Sequence, residues 1–189
     1  MQHWQSNSKI IQLAQALHRG ELITYPTEAV WGLGCDPFNE QSVFKILHLK
    51  QRPYKKGVIL VAASIEQLSP FLKGLSNNHL QALEQSWPGP NTWVIPHNGT
   101  APPWIRGEHN SLAVRVSAHP IVKAICELYG GPIVSTSANP GGLPAAKTMI
   151  QVRKYFPGEP LAYAPGNVGP QSQPTQIRNL LNGAVLRPA

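Results

Sequence analysis

The residues best suited to chemistry are two cations, Lys50 and Arg52, in the segment Lys-Gln-Arg-Pro. Lys50 occupies a slot of a helical apolar pattern where a core residue is expected, because i, i+3, i+4 and i+7 spacing holds for Val43, Ile46, Leu47 and Lys50. Pro53 disfavours helical geometry at Arg52, so both cations should project from the C-terminal end of a helix. An ammonium offers a mobile point charge and a guanidinium offers a planar fork, and both groups bind phosphate oxygens.

A purely structural role for the two cations stays open at this point. The helix macrodipole favours a cation at a helix C-terminus by ~0.3 to 1 kcal/mol without any ligand. The position of Lys50 and Arg52 alone therefore does not show whether they interact with the helix dipole or bind phosphate.

A second polar group follows a predicted strand at residues 133–136. The strand contains Ser135 and runs directly into Ser137, Asn139 and the glycines at positions 141 and 142. Hydroxyls, an amide and flexible glycines at the C-terminal end of a strand are the usual components of a ligand loop in an open α/β sheet. The same residue types also form ordinary turns, so both interpretations remain.

The composition favours one folded domain with anionic partners. The chain has 189 residues, a length at which roughly 70% of the unfolded surface becomes buried. Sixteen Lys and Arg residues against nine Asp and Glu residues give a formal charge of +7. This balance points to nucleotides, RNA or acidic membrane surfaces as partners.

Other classes of site and location receive little support. Asp36 is the one aspartate among nine acidic residues, so a carboxylate metal site is not predicted and any Mg²⁺ should arrive on a phosphate. Cys35 and Cys126 are too far apart for a C-x-x-C centre, which predicts free thiols. Residues 1–9 lack an apolar signal core, and the longest apolar run, residues 58–63, is too short to cross a bilayer. A cytoplasmic protein with no membrane contact is expected.

The elements that would position these residues alternate between helices and strands. Apolar spacing, caps and breakers predict helices near residues 10–17, 39–49, 78–87, 120–129 and 148–156. Strands are predicted near residues 22–25, 57–63, 92–95, 112–116, 133–136 and 161–164, followed by a hairpin at 175–187 with an Asn-Gly type I′ turn. Residues 26–34 and 96–110 are predicted to be loops. The hairpin makes the sheet mixed rather than purely parallel.

Three ordered segments resemble the hallmark motifs of the YrdC family. They are Tyr-Pro-Thr-Glu-Ala-Val-Trp-Gly-Leu-Gly at residues 25–34, Lys-Gln-Arg-Pro at 50–53 and Ser-Thr-Ser-Ala-Asn at 135–139. The resemblance runs through essentially the whole chain and is strongest to the short bacterial members. It implies a single α/β domain over residues 1–189, with a twisted mixed sheet flanked by helices around a basic concave site.

The resemblance also implies a reaction. L-threonine, bicarbonate or CO₂, and ATP are joined into threonylcarbamoyl-AMP with release of pyrophosphate, the first step of t⁶A modification of tRNA. The implied partners are therefore these substrates, Mg²⁺ carried on ATP, and downstream proteins that transfer the group to tRNA. Weak binding of RNA or tRNA is a further expectation from the positive charge.

The family motifs assign the roles of individual residues. By resemblance, Lys50 and Arg52 are catalytic and bind the triphosphate, while further ATP ligands are Ser135, Ser137, Asn139 and Arg187. Threonine is expected to contact Thr27, Arg115 and Thr175. For Arg115 the residues add independent support, because it lies on the face of a predicted strand opposite the apolar set. Ala29 and Trp31 replace the Thr and Tyr of many relatives.

Two other functions are consistent with parts of the sequence. A non-catalytic RNA-binding module would use the same basic concavity, but aromatic residues are only 7% and do not alternate with the basic ones as stacking platforms would. An enzyme that uses carbamoyl phosphate is suggested by the YrdC-like domain of hydrogenase-maturation proteins. The zinc-finger and acylphosphatase modules of those proteins are not found in this sequence.

Overall fold

The computed structural model describes residues 4–171, 173 and 175–188. Helices in this part of the chain are α1 (Ser8–His18), α2 (Glu40–Leu49), α3 (Ser69–Leu72), α4 (Asn77–Ser86), α5 (Pro103–Arg106), α6 (Pro120–Tyr129) and α7 (Met149–Tyr155). Strands are β1 (Leu22–Pro26), β2 (Trp31–Gly34), β3 (Ile59–Ala62), β4 (Asn91–Pro96), β5 (Ser111–Val116), β6 (Ile133–Ser137), β7 (Leu161–Tyr163), β8 (Gln176–Asn179) and β9 (Val185–Arg187).

The strands form one sheet in the order β7-β1-β2-β6-β3-β5-β4-β8-β9. The pairs β1–β7, β3–β5 and β4–β8 are parallel, and the remaining neighbours are antiparallel. The prediction of an α/β fold with a mixed sheet flanked by helices is therefore confirmed. The order brings β6, which ends in the predicted ligand loop, next to β3, which follows the Lys50–Arg52 segment.

Two apolar layers enclose the sheet. Alternate residues of β3 separate into them, because Leu60 belongs to the cluster that includes α2 and Val61 to the cluster that includes α1 and α6. Cys35 and Cys126 are buried free thiols, one in each layer, as predicted. None of the helices in the described part of the chain is long and apolar enough to cross a bilayer.

Helix α2 carries the two candidate cations to the edge of the core. The Asn39 side chain caps its N-terminus by accepting a hydrogen bond from the Ser42 N–H at 3.0 Å. At the other end, the Gln51 N–H bonds to the His48 carbonyl and the Arg52 N–H bonds to the Leu47 carbonyl, both at 2.9 Å. These two bonds form a Schellman turn, which ends the helix at Leu49 before Pro53 acts.

Three local predictions were wrong. Residues 26–34 contain strand β2, whose glycines are needed because a Cβ at Gly34 would lie 2.8 Å from the Tyr25 ring. Residues 96–110 contain α5, which is too short to show a helical period. The turn between β8 and β9 is not type I′, since Gly183 has a positive φ of 69° but Asn182 does not.

Candidate active site

A cavity of about 430 Å³ opens on the sheet where β2, β3, β5 and β6 lie side by side. Seven of the nine predicted site residues line it: Thr27, Arg52, Arg115, Ser135, Ser137, Thr175 and Arg187. Lys50 and Asn139 do not line it. The structure therefore brings together most of the residues that the sequence motifs single out, although they come from segments far apart in the chain.

Lys50 lies behind the wall of the cavity and is 5% exposed. Its Nζ donates to the backbone carbonyls of Ser137 and of Asn139, the latter at 2.7 Å. The Lys50 carbonyl in turn accepts from the Gly141 N–H at 2.8 Å. Burial, and secondarily the charge of Arg52, lowers the pKa of Lys50 to about 8. In this arrangement Lys50 holds the loop of residues 137–141 against the end of α2.

The Asn139 side chain is also engaged within its own loop. Its Nδ2 donates to the carbonyls of Leu143 at 2.6 Å and Pro140 at 3.1 Å. The loop is therefore shaped from both sides, by the ammonium of Lys50 and by the amide of Asn139. Ser137, the last residue of β6, lies at the start of this loop and lines the cavity.

Arg52 lies on the wall itself and is half-buried. Its Nε and NH2 both donate to the Gly57 carbonyl, at 3.0 and 2.9 Å, which orients the plane of the guanidinium. Burial and the nearby Arg187 lower the pKa of Arg52, and burial and Arg115 lower that of Arg187. Arg52, Arg115 and Arg187 thus lie close enough around a single cavity for charge repulsion to act on Arg52 and Arg187.

Two further cations on the wall, Lys56 and Arg106, were not predicted. Their segments are held back to back by Gly57 and Gly107, both in the left-handed region. A Cβ at Gly57 would lie 2.8 Å from the Arg106 carbonyl, and a Cβ at Gly107 would lie 2.6 Å from the Lys55 carbonyl. Lys56 follows Lys50, Arg52 and Lys55 closely in the sequence, whereas the position of Arg106 depends on α5, which has no helical period in the sequence.

Arg115 differs from the other cations because it has a carboxylate partner. Its NH2 lies 3.2 Å from Glu28 Oε2, and both side chains are buried. Glu28 Oε1 accepts from the Ser117 hydroxyl at 2.7 Å and from the Ala118 N–H at 3.1 Å. Burial alone would raise the pKa of Glu28, but Arg115 and these hydrogen bonds outweigh it, so the pKa lies below its usual value.

The hydroxyls of the cavity are partly satisfied by the protein. Thr27 Oγ1 donates to the Val30 carbonyl at 2.7 Å, which leaves its lone pairs available to a ligand. Thr175 and Thr92 share a hydrogen bond of 3.2 Å between their hydroxyls. Arg187 NH2 donates to the Thr175 carbonyl at 2.7 Å and so connects β9 to the segment before β8.

The charge of the cavity has one sign. Among the described residues, the lining contains the cations Arg52, Lys56, Arg106, Arg115 and Arg187 and no carboxylate. In the part of the chain that the structure describes, Arg115 is the one cation of this set with a carboxylate within 4.0 Å. Fold and site together define a class of protein in which a mixed α/β sheet carries a cavity lined by cations. Such a cavity is suited to a polyanion, and one of its arginines, Arg115, is already neutralised by Glu28.

Comparison with known proteins narrows this class. A model of the Sua5/YciO/YrdC family, described as telomere recombination, matches residues 15–189. A threonylcarbamoyl-AMP synthase of Saccharophagus degradans is 58% identical over 187 residues, covering 99% of this chain and 98% of that protein. A protein of the same name from Cellvibrio japonicus is 48% identical over 186 residues, with 98% of each chain covered. The chain belongs to the Sua5/YciO/YrdC family.

Solved structures of the family have the same fold. P. abyssi Sua5 complexed with L-threonine matches with a TM-score of 0.86 and 32% identity over 95% of this chain. This chain spans only 53% of the length of that protein. E. coli YciO matches with a TM-score of 0.82 over 94% of this chain and 87% of its own, but at 23% identity it supports the fold alone.

Proposed function

We propose that this chain is a threonylcarbamoyl-AMP synthase, which condenses L-threonine, bicarbonate or CO₂, and ATP with release of pyrophosphate. The observation that carries the proposal is that one cavity contains both cations without a carboxylate partner in the described structure and an arginine that has one. Arg52, Lys56, Arg106 and Arg187 have no carboxylate partner among the described residues, whereas Arg115 is paired with Glu28. The relatives named for this activity cover nearly the whole chain.

The reaction needs positioning and charge neutralisation more than a protein nucleophile. The threonine amine adds to CO₂ and loses a proton, which gives a carbamate. A carbamate oxygen then attacks the α-phosphorus of ATP, and the bond from that phosphorus to the bridging oxygen breaks as pyrophosphate leaves. Both reactants are anions, so cations must bring them together in line.

The four cations that have no carboxylate partner within the described ranges are suited to the triphosphate. Arg52 and Arg187 approach the cavity from different walls, and burial together with a neighbouring guanidinium lowers the pKa of each: Arg187 acts on Arg52, and Arg115 acts on Arg187. A bound polyanion would relieve this repulsion. The hydroxyls of Ser135 and Ser137 offer uncharged hydrogen bonds to the nucleotide or to the intermediate. Lys50 and Asn139 remain proposed ATP-site residues, and we propose that they act through the position of the loop they hold.

Threonine is assigned to the other part of the cavity. The remaining N–H groups of Arg115 are available to its carboxylate, which does not react and must be anchored while the amine is carboxylated. Thr27 and Thr175 supply hydroxyls for the substrate hydroxyl or amine.

Mg²⁺ fits this site as a companion of ATP. The described lining supplies hydroxyls and cations but no carboxylate, and Glu28 is engaged by Arg115 and Ser117. A metal ion bound to the phosphate oxygens would neutralise part of the triphosphate charge and needs no protein carboxylate. The proposed activity carries three further proposals. Bicarbonate is the carbon source, the protein acts in the cytoplasm, and downstream proteins transfer the threonylcarbamoyl group to tRNA to form t⁶A.

The test is incubation of the protein with ATP, L-threonine and labelled bicarbonate, with assay of pyrophosphate and labelled adenylate. We expect stoichiometric formation of both products, with formation of adenylate dependent on threonine. RNA binding is expected to be weak and to be displaced by ATP with threonine. Tight RNA binding that ATP does not affect, with no adenylate formed, would favour the RNA-binding alternative instead.

A further inference from the structure

Glu28 is buried next to the cavity without lining it. Oε2 pairs with Arg115 at 3.2 Å, and Oε1 accepts two hydrogen bonds, from the Ser117 hydroxyl and from the Ala118 N–H. The two bonds to Oε1 fix the orientation of the carboxylate, and Oε2, which accepts no hydrogen bond from the described residues, faces the guanidinium as an ion pair. Its position behind Arg115 means that it acts on a ligand only through that arginine.

The backbone around Glu28 is held as firmly as its side chain. The Gly169 N–H bonds to the Thr27 carbonyl at 2.8 Å, and the Gln171 N–H bonds to the Glu28 carbonyl at 3.2 Å. A Cβ at Gly169 would lie 2.8 Å from the Glu28 carbonyl oxygen, so the two segments are in close contact. These contacts fix the backbone of Glu28, and the bonds from Ser117 and Ala118 hold its side chain.

The pairing gives the cavity two regions that differ in charge. Around Arg115 the guanidinium and the carboxylate cancel, while Arg52, Lys56, Arg106 and Arg187 keep their full charge in the described structure. A triphosphate carries several negative charges and is attracted to the region of uncompensated cations. The neutralised guanidinium keeps its directional N–H donors and so still suits a single carboxylate.

We propose that Glu28 is a positioning and specificity-determining residue that orients Arg115 and, by cancelling its charge, reserves it for the amino-acid carboxylate against phosphate groups. This rests on the proposed function. Without the carboxylate, Arg115 becomes one more unpaired cation, and the polyanion can occupy the place of threonine.

The test separates charge from orientation with two variants. Glu28→Gln keeps the shape but removes the charge, and Ser117→Ala keeps the charge but removes one of the bonds that orient it. Glu21→Gln is the matched control, because Glu21 is exposed and pairs with Arg19 away from the cavity. Threonine binding is measured by calorimetry for each protein, alone and with saturating inorganic triphosphate, and melting curves verify folding.

In the wild type and in Glu21→Gln we expect triphosphate to change the threonine Kd by less than about twofold. Ser117→Ala should weaken threonine binding about tenfold, still without competition. Glu28→Gln should weaken it about tenfold or more, and triphosphate should now compete with threonine.

Three outcomes overturn the proposal. One is competition between triphosphate and threonine in the wild type, which requires no variant to fold. The second is a Glu28→Gln protein that melts cooperatively and binds threonine like the wild type, and the third is weakening in that variant without competition. If the wild type binds no threonine and makes no adenylate, the proposed function itself fails, and that result is distinct from all three.

Discussion

The two walls that bring cations to the cavity are built differently. At the end of α2, Lys50 and Arg52 belong to a Schellman turn, and both side chains donate to backbone carbonyls of neighbouring loops. On the opposite side, Arg187 comes from β9, the last strand in the sheet order, whose three residues are exposed overall although the Arg187 guanidinium is part-buried where it enters the cavity. The first wall is part of the core, and the second is a peripheral hairpin with a register shift at Ile177 and Arg178.

Because the two walls are built differently, changes in them should have different effects on stability and on ligand binding. A change in the α2 wall removes contacts that hold the fold, so it should affect both stability and catalysis. A change in the hairpin wall removes a ligand contact but few native ones, so it should affect catalysis alone.

Replacement of Lys50 should have the largest effect. Lys50→Ala removes the ammonium that donates to the Ser137 and Asn139 carbonyls, of which only the Ser137 carbonyl accepts a further bond, from the Asn139 N–H, among the described residues. We therefore expect a loss of about 3 kcal/mol in the free energy of unfolding. Synthesis should fall roughly a hundredfold, because the loop that carries Ser137 is released. Urea unfolding and pyrophosphate release measure the two effects.

Lys50→Met is the matched control for packing. It keeps the apolar stem and removes only the ammonium, so part of the stability should return while activity stays low. Normal pyrophosphate release by a folded Lys50→Met protein would show that the ammonium does not hold the ligand loop in place for catalysis.

Arg52→Ala should lower the rate of synthesis roughly ten- to a hundredfold through loss of a charge-assisted phosphate contact. The effect on stability should be smaller than for Lys50, about 1 kcal/mol, because Arg52 is half-buried and its bonds go to the carbonyls of Gly57 and, more weakly at 3.4 Å, Lys56 in the adjoining turn. Arg52→Lys should recover only part of the activity, since an ammonium lacks the planar fork. If Arg52→Ala were as active as the wild type, Arg52 would not contact phosphate, and its interaction with the helix dipole would be its only role.

Arg187→Ala tests the hairpin wall. We expect the KM for ATP to rise about tenfold with no measurable change in the melting temperature, since the side chain makes one bond to the Thr175 carbonyl at the sheet edge. Lys45→Ala, on the outer surface of α2, is the control for the loss of one positive charge. A cooperative loss of stability in Arg187→Ala would mean that the hairpin is as firmly fixed as the α2 wall.

The same two walls show what the sequence could and could not predict. The α2 wall was largely predictable, because the Asn39 cap, the apolar stripe and the interruption at Lys50 are local signals. The turn of the hairpin was not, since Asn-Gly there belongs to a longer connection in which only Gly183 is left-handed. Local spacing predicted neither the burial of Lys50 against the 137–141 loop nor the pairing of Arg115 with Glu28, because both depend on which strands become neighbours.

The cavity wall near α5 illustrates the same limit. Lys56 and Arg106 meet because Gly57 and Gly107 allow two backbones to touch, as shown by the Val58 N–H bond to the Ile105 carbonyl at 2.8 Å. Nothing in the local sequence pairs these segments. The resemblance to a family identified the hallmark residues, and the tertiary structure was required to add these two cations.

The pH dependence of stability should report the burial of Lys50. Because its folded pKa of about 8 lies below its ordinary value of 10.5, the unfolded chain carries more protons between these values. Raising the pH through this window should therefore stabilise the wild type relative to Lys50→Met, by about 1 kcal/mol between pH 7 and 9. Synthesis should decline over the same range, as the ammonium loses a proton that it donates to the loop. Equal pH slopes of stability in the two proteins would contradict this assignment.

The smallest expected effect concerns the residue between the two cations. Gln51 has a positive φ of 49° and is the one such non-glycine residue in the described chain. It occupies the position of the Schellman turn where glycine is preferred, because a Cβ is strained in the left-handed region. Gln51→Gly should therefore stabilise the protein by about 1 kcal/mol, measured by urea unfolding.

Gln51→Ala is the control that separates the backbone from the side chain, since it keeps the Cβ and should bring no such gain. If the α2 wall is fixed by the bonds of its turn, the relief of strain appears as stability and the rate of synthesis stays within about twofold of the wild type. If Gln51→Gly instead loosens the turn, the more flexible backbone will lower the rate together with the melting temperature. That result would mean that the α2 wall is as flexible as the hairpin wall, and the two walls would no longer differ in this respect.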